Sequence, residues 1–164
     1  MRSGLRAAAI VGAIISSSAS AANLHQLSCD ALIGTDVLSA HSGHAWRQGK
    51  AIVLQGDLAT CNYYQEEVPA GLSLGVRNDP ERKDLQNARE TFARELQPAP
   101  GLPGEAFFYR HRALAPFADS WGLVVHSGGR TYRLEGVPEA NNAEQAQKVA
   151  RDIIERALTK FSKS

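Results

Sequence analysis

The clearest periodic signal lies at the C-terminal end of the chain. Ala146, Val149, Ala150, Ile153, Ile154, Ala157, Leu158 and Phe161 recur at three- and four-residue intervals, which places them on one stripe of a helix. Asn142 precedes the stripe with Gln145 three residues on, the spacing of a capping box, so the helix is predicted to open there. A second helix is predicted over residues 80–96, where Leu85, Ala88, Phe92 and Leu96 keep helical spacing. Asp79 stands as its cap, Pro80 occupies the first turn, where its missing N–H costs nothing, and Glu81 meets the positive end of the helix dipole. A short entry helix is read at residues 36–40, with Thr35 as N-cap and the polar loop His41-Ser42-Gly43-His44 at its end.

Between these segments the period changes to two. Strands are predicted at 51–55 and 58–65 around the turn Gly56-Asp57, and at 72–76 after Pro69-Ala70-Gly71. Three more follow at 106–112, 121–126 and 130–137, the last pair joined by the hairpin signal Ser127-Gly128-Gly129. The run from Pro98 to Gly104, with prolines at 98, 100 and 103, reads as a stiff loop between elements. Both halves therefore run strand, strand, strand, helix, a repeat in pattern and not in residue identity. The fold class expected is α+β: antiparallel strands presenting one face to two main helices, in duplicated β-β-β-α halves, with one disulfide. Asn62, Arg133 and Glu135 alternate with apolar neighbours, as they do when the other face of a sheet is wet.

Composition narrows the class without naming a function. The chain has 164 residues, 43% hydrophobic and 21% charged, with a mean hydropathy of -0.27, which excludes disorder and collagen. Eighteen Lys+Arg against 17 Asp+Glu, with no basic stripe, argue against nucleic acid as a partner.

Residues 1–22 read as a secretory signal peptide: Arg2 and Arg6, the uncharged run from Ala7 to Ile15, then small residues ending Ala19-Ser20-Ala21-Ala22. The apolar run is too short for a permanent membrane span, so no stable membrane insertion is expected after cleavage. Cleavage after Ala21 or Ala22 satisfies the small-x-small rule, with Asn23 the preferred mature start and residues 23–164 a single α+β domain. Removing 22 residues from 164 leaves 142, and losing Arg2 and Arg6 leaves 16 basic against 17 acidic, a net charge of -1. The expected location is the periplasm or the extracellular space. In such an oxidising compartment Cys29 and Cys61 most simply pair, closing a loop of 33 residues counted from 29 to 61 inclusive. The chain-entropy estimate for that loop is about 3.5–4 kcal/mol. Two free thiols or a metal pair are the alternative.

Several of these features together resemble a family of small exported bacterial proteins and lipoproteins of unknown function. They are Cys29 before a short Leu-containing helix, Cys61-Asn62-Tyr63, the run Gly101-Leu102-Pro103-Gly104-Glu105-Ala106-Phe107 before a strand, a glycine-turn hairpin and a terminal Ala-rich helix. The similarity spans most of residues 28–158. It implies an envelope location and the Cys29–Cys61 bond, and it implies no catalytic residue. The lipobox of the lipoprotein members is missing, so anchoring does not carry over.

Four places in the chain carry candidate chemistry. Gly71-Leu72-Ser73-Leu74-Gly75 matches the nucleophile-elbow string, with Asp119 and His126 following in hydrolase order, but an elbow needs a strand before the serine and a helix after it. His41 and His44, with Asp36 and His25, carry imidazoles that can converge on an ion, yet Gly43 makes their loop flexible, and no metal is expected. Glu66 and Glu67 are adjacent on a strand end and point to opposite sides. Arg110, His111 and Arg112 form a basic tract beside Phe107-Phe108-Tyr109.

The expected function is an exported, non-catalytic binding module of the envelope. Its solvent face would carry Tyr64, Tyr109, Arg110, Arg112, Trp121 and Tyr132 toward a protein or envelope ligand, because interface centres favour aromatics and arginine. Two alternatives stand beside it: an inhibitor or immunity protein against an envelope-targeting enzyme, and a small hydrolase using Ser73. No cofactor is expected.

Overall fold

The computed structural model describes residues 29, 32–49, 52–54, 57–66, 71–112, 119–140 and 142–162, with the side chains of 53, 54 and 162 outside the description. The signal-peptide segment, His25 and Glu67 lie outside these residues. The elements run α1 (Thr35–Ser42), β1 (Trp46–Gln48), β2 (Ile52–Leu54), β3 (Leu58–Gln65), β4 (Gly71–Asn78), α2 (Lys83–Thr91), β5 (Leu96–Pro98), β6 (Glu105–His111), β7 (Ser120–Ser127), β8 (Arg130–Pro138) and α3 (Ala143–Ser162). All strands pair antiparallel in one sheet ordered β1-β3-β4-β8-β7-β6-β5, with β2 beside β1 along the outer edge of β3. Two meanders thus meet at the centre, where β4 pairs with β8 in a register that sets Ser73 opposite Glu135 and Gly75 opposite Arg133.

The face on which each helix lands follows from the strand alternation. On one face, Cys61 and Tyr63 of β3, Leu72, Leu74 and Val76 of β4, Leu134 of β8 and Leu123 and Val125 of β7 are all buried. This continuous apolar floor receives the stripe of α3, whose Ala146, Ala150, Ile153, Ile154, Ala157 and Phe161 are buried against it. On the opposite face the buried apolar cluster sits at β6 and β7, through Phe107, Tyr109 and Val124. There α2 docks with Leu85 and Ala88. The fold is α+β with an antiparallel sheet against two main helices and the Cys29–Cys61 disulfide formed. The helices cover opposite faces, however, where the sequence reading put both on one. Each half carries four strands before its helix, the expected three plus β1 or β5, and α2 crosses to the second meander instead of covering its own strands.

Boundaries shift for identifiable reasons. The helix expected over 80–96 is α2 at Lys83–Thr91, because Pro80 and Glu81 form a turn and Arg82 adopts a left-handed φ of 61°. Asp79 still caps it, reaching the backbone N–H groups of Lys83, Asp84 and Leu85 at 2.7, 3.0 and 3.3 Å. Leu96 belongs to β5, where it packs against the same small cluster as Phe92, so its helical spacing was satisfied by a strand. Helix α1 begins after Gly34 without a side-chain cap, takes in His41 and Ser42, and ends at Gly43 with φ 74°. The hairpin holds Gly128 and Gly129 at φ 59° and 73°, both positive as a tight primed turn requires.

Candidate functional site

Because α2 lies over β6 and β7, the same face of β3, β4 and β8 is left bare. Its middle is polar, with Thr60 and Asn62 from β3, Ser73 and Arg77 from β4, and Arg133 and Glu135 from β8, while Leu58 and Tyr64 of β3 and Ile52 of β2 add apolar surface along its outer side. Two hollows of about 390 and 260 Å³ open on this face and share Arg133 and Glu135 as their common wall. The larger reaches Phe92, Tyr109, His111 and Ser120; the smaller reaches Ser73, Gly75, Arg77 and Asp84. Together they form a furrow running across the strands.

The wall between the hollows is fixed by local backbone irregularity. Register shifts between Trp121 and Leu123 on β7, so that Glu135 and Gly136 stand against Gly122 alone, and Gly136 takes φ 84° to make the bulge. Gly122 is also where a side chain is forbidden: a Cβ there would overlap the ring of Tyr109, its register partner on β6. The ring lies across Gly122 and its hydroxyl donates to the Leu134 carbonyl at 3.2 Å. Phe92, at the end of α2, stacks on Tyr109 with centroids 3.8 Å apart. Burial, and then the nearby Glu135 carboxylate, push the Tyr109 phenol well above its ordinary range, so it stays a neutral donor.

Each charge in the furrow has an opposite neighbour. Arg133 Nη2 meets Glu135 Oε1 at 2.5 Å and its guanidinium lies 5.3 Å from the Phe92 centroid. Arg77 Nε lies 3.7 Å from Asp84 of α2. The Nε atoms of both arginines are buried without a hydrogen-bond partner among the described residues. At the far end of the bare face Tyr64 is 44% exposed, with Arg47, its register partner, 5.9 Å from the ring centroid.

Of the aromatic face expected from sequence, Tyr64 alone is solvent-facing. Tyr109, Trp121 and Tyr132 are 2, 2 and 3% exposed, so the expectation that they present a solvent face is corrected. In the second meander both faces are covered by helices, and an alternating aromatic is buried whichever way it points. Trp121 donates its indole N–H to Glu139 at 2.8 Å, and Tyr132 packs beside Phe161 of α3. Arg110 is held by Asp119 at 3.1 Å and Glu139 at 3.0 Å, and Arg112 by Glu95 at 3.4 Å, so the basic tract is neutralised. Ser73 lies mid-strand in β4, with no elbow. On β8 the register partners of Ser73 and His126 are Glu135 and Thr131, four residues and roughly 13 Å apart. Asp119 pairs with Arg110, so the three hydrolase-order residues are not brought together. His41 is buried in α1 with Nε2 on the Pro138 carbonyl at 2.9 Å, Asp36 is exposed, and the described residues hold no cluster of three metal-ligating side chains. Glu66 is exposed just past β3.

The furrow residues Arg77, Asp84, Phe92 and Arg133 were missed as a group. Arg133 and Glu135 did stand out as polar positions alternating with Leu134, but nothing local shows that α2 leaves that side open. No family model, no curated protein and no solved structure matches this chain.

Proposed function

We propose that the protein is an exported, non-catalytic binding module of the cell envelope whose ligand site is the furrow on the bare half of the sheet. The observation that carries this reading is the pair of hollows sharing the Arg133–Glu135 wall, a concave polar surface left open between α2 and β3. Its charged groups are bound to one another, Arg133 with Glu135 and Arg77 with Asp84, so the carboxylate opposite Ser73 in the strand register is engaged by a guanidinium. That arrangement suits holding a ligand more than attacking one. The Cys29–Cys61 bond supports an oxidising address, and no helix among the described residues is long and apolar enough to cross a membrane.

The test is co-sedimentation of the purified protein with isolated cell envelopes, comparing wild type with Ser73→Leu, which fills the smaller hollow from its solvent side. Retention of wild type and at least tenfold less retention of the variant is the expected result. Equal retention of both, or none of either, overturns the reading. Fractionation of cells should find the protein outside the cytoplasm with both thiols blocked; a cytoplasmic pool with free thiols overturns the address.

A further inference from the structure

We propose that the furrow takes a neutral oligosaccharide chain laid across the strands; this rests on the binding reading above and gives it a ligand class. Four properties of the site point that way. The first is charge: Arg77 is offset by Asp84 and Arg133 by Glu135, so the furrow offers many donors and acceptors with no net field. A phosphate or nucleic-acid ligand needs unopposed cations and finds none in these two pairs. The second is polarity. A protein partner favours an interface centre depleted of charge, whereas the centre here is an ion pair.

The third is direction. The furrow crosses β6, β7, β8, β4 and β3, roughly 19 Å at the usual strand spacing, over interior strands whose backbone groups are already used in the ladders. An extended peptide gains most of its affinity by pairing with a free sheet edge, which this floor does not offer. The fourth is the inventory of groups. Hydroxyls both donate and accept, and so match Glu135 as acceptor, the guanidinium of Arg133 as donor, and Ser73, Thr60 and Ser120 as either. The faces of Phe92 are taken by Tyr109 and Arg133, but its ring edge in one hollow and Leu58 in the other give apolar surface against which the C–H face of a sugar ring can pack. Two hollows separated by one shared wall suit a ligand of repeating units.

The experiment is an array of neutral and acidic oligosaccharides probed with the full chain carrying its disulfide. Calorimetry with tetra-N-acetylchitotetraose and maltotetraose follows, together with chemical-shift mapping on the wild-type protein. Neutral glycans are expected to be retained, with Kd raised tenfold or more by Ser73→Leu and by Glu135→Gln and unchanged by Lys148→Ala on α3. The shifts should move in β4 and β8 and not in α3, a readout that holds even where a variant fails to fold. An array that is empty, an array lit only by acidic glycans, or shifts confined to α3 overturns the proposal. If envelope retention still depends on Ser73 while the array is empty, the glycan class falls alone; if both fail, the binding reading falls with it.

Discussion

The carboxylate of Asp79, 5% exposed, accepts three backbone N–H groups at the start of α2 and the Thr131 hydroxyl at 2.7 Å. Since Thr131 gives its proton to Asp79, its oxygen is the acceptor for His126 Nδ1–H at 3.0 Å, which assigns the histidine tautomer from the network. Burial alone would raise the Asp79 pKa, but the Thr131 hydroxyl and the N–H groups of Leu85, Lys83 and Asp84 outweigh it and hold the carboxyl below its ordinary value. A depressed folded pKa stabilises the native state above the unfolded value and withdraws that contribution as pH falls through the folded one. Asp79→Asn is therefore expected to lose about 2–4 kcal/mol at pH 7, read from urea midpoints. Wild type should also lose stability below about pH 4 with a component absent from the variant. A variant as stable as wild type at neutral pH would mean the cap is dispensable. This residue was legible in the sequence as a cap, through Asp79-Pro80-Glu81. Its link to Thr131, 52 positions on, was not, because it depends on the β4–β8 pairing.

At the scale of elements, α2 is held by few apolar groups, and the stack of Phe92 on Tyr109 over Gly122 is central among them. Two arginines of the α2 region, Arg82 and Arg89, also close on Glu105 of β6. Gly122→Ala would force the Tyr109 ring off β7, break its bond to Leu134 and lift Phe92 with it. The expected loss is about 1–3 kcal/mol, concentrated in α2, so amide exchange there should quicken more than in α3. Uniform quickening in both helices would show that Gly122 supports the whole sheet instead. Strong periodicity made α3 and the β7–β8 hairpin readable from sequence. The three-residue strands β1 and β5 were not, since Trp46-Arg47-Gln48 and Leu96-Gln97-Pro98 are too short to show a period and exist only because β3 and β6 offer them an edge.

Across the described residues, the two faces of the sheet divide the labour: one carries a buried apolar floor from β3 to β7 and takes α3, while the other buries an apolar cluster at β6 and β7 alone and so leaves the furrow. That division is written in the alternation, but it becomes readable only once the strand order puts β8 beside β4. The N-terminal side of the chain depends on a covalent tie to the apolar face. Leu32 and Ile33 are buried, and the Tyr63 hydroxyl donates to the Cys29 carbonyl at 2.9 Å. Cys29 and Cys61 are 3 and 0% exposed, so a reductant cannot reach the sulfurs without local opening. Thiol trapping should find the bond intact after hours in reductant at native pH and lost quickly once urea unfolds the chain. Cys61→Ser frees the segment before α1, and the loop-closure estimate of about 3.5–4 kcal/mol corresponds to a fall in melting temperature on the order of 10 °C. Rapid native-state reduction would show that the segment before α1 opens easily, and a melting temperature within a degree or two of wild type would show that packing of Leu32 and Ile33, not the bond, holds it down.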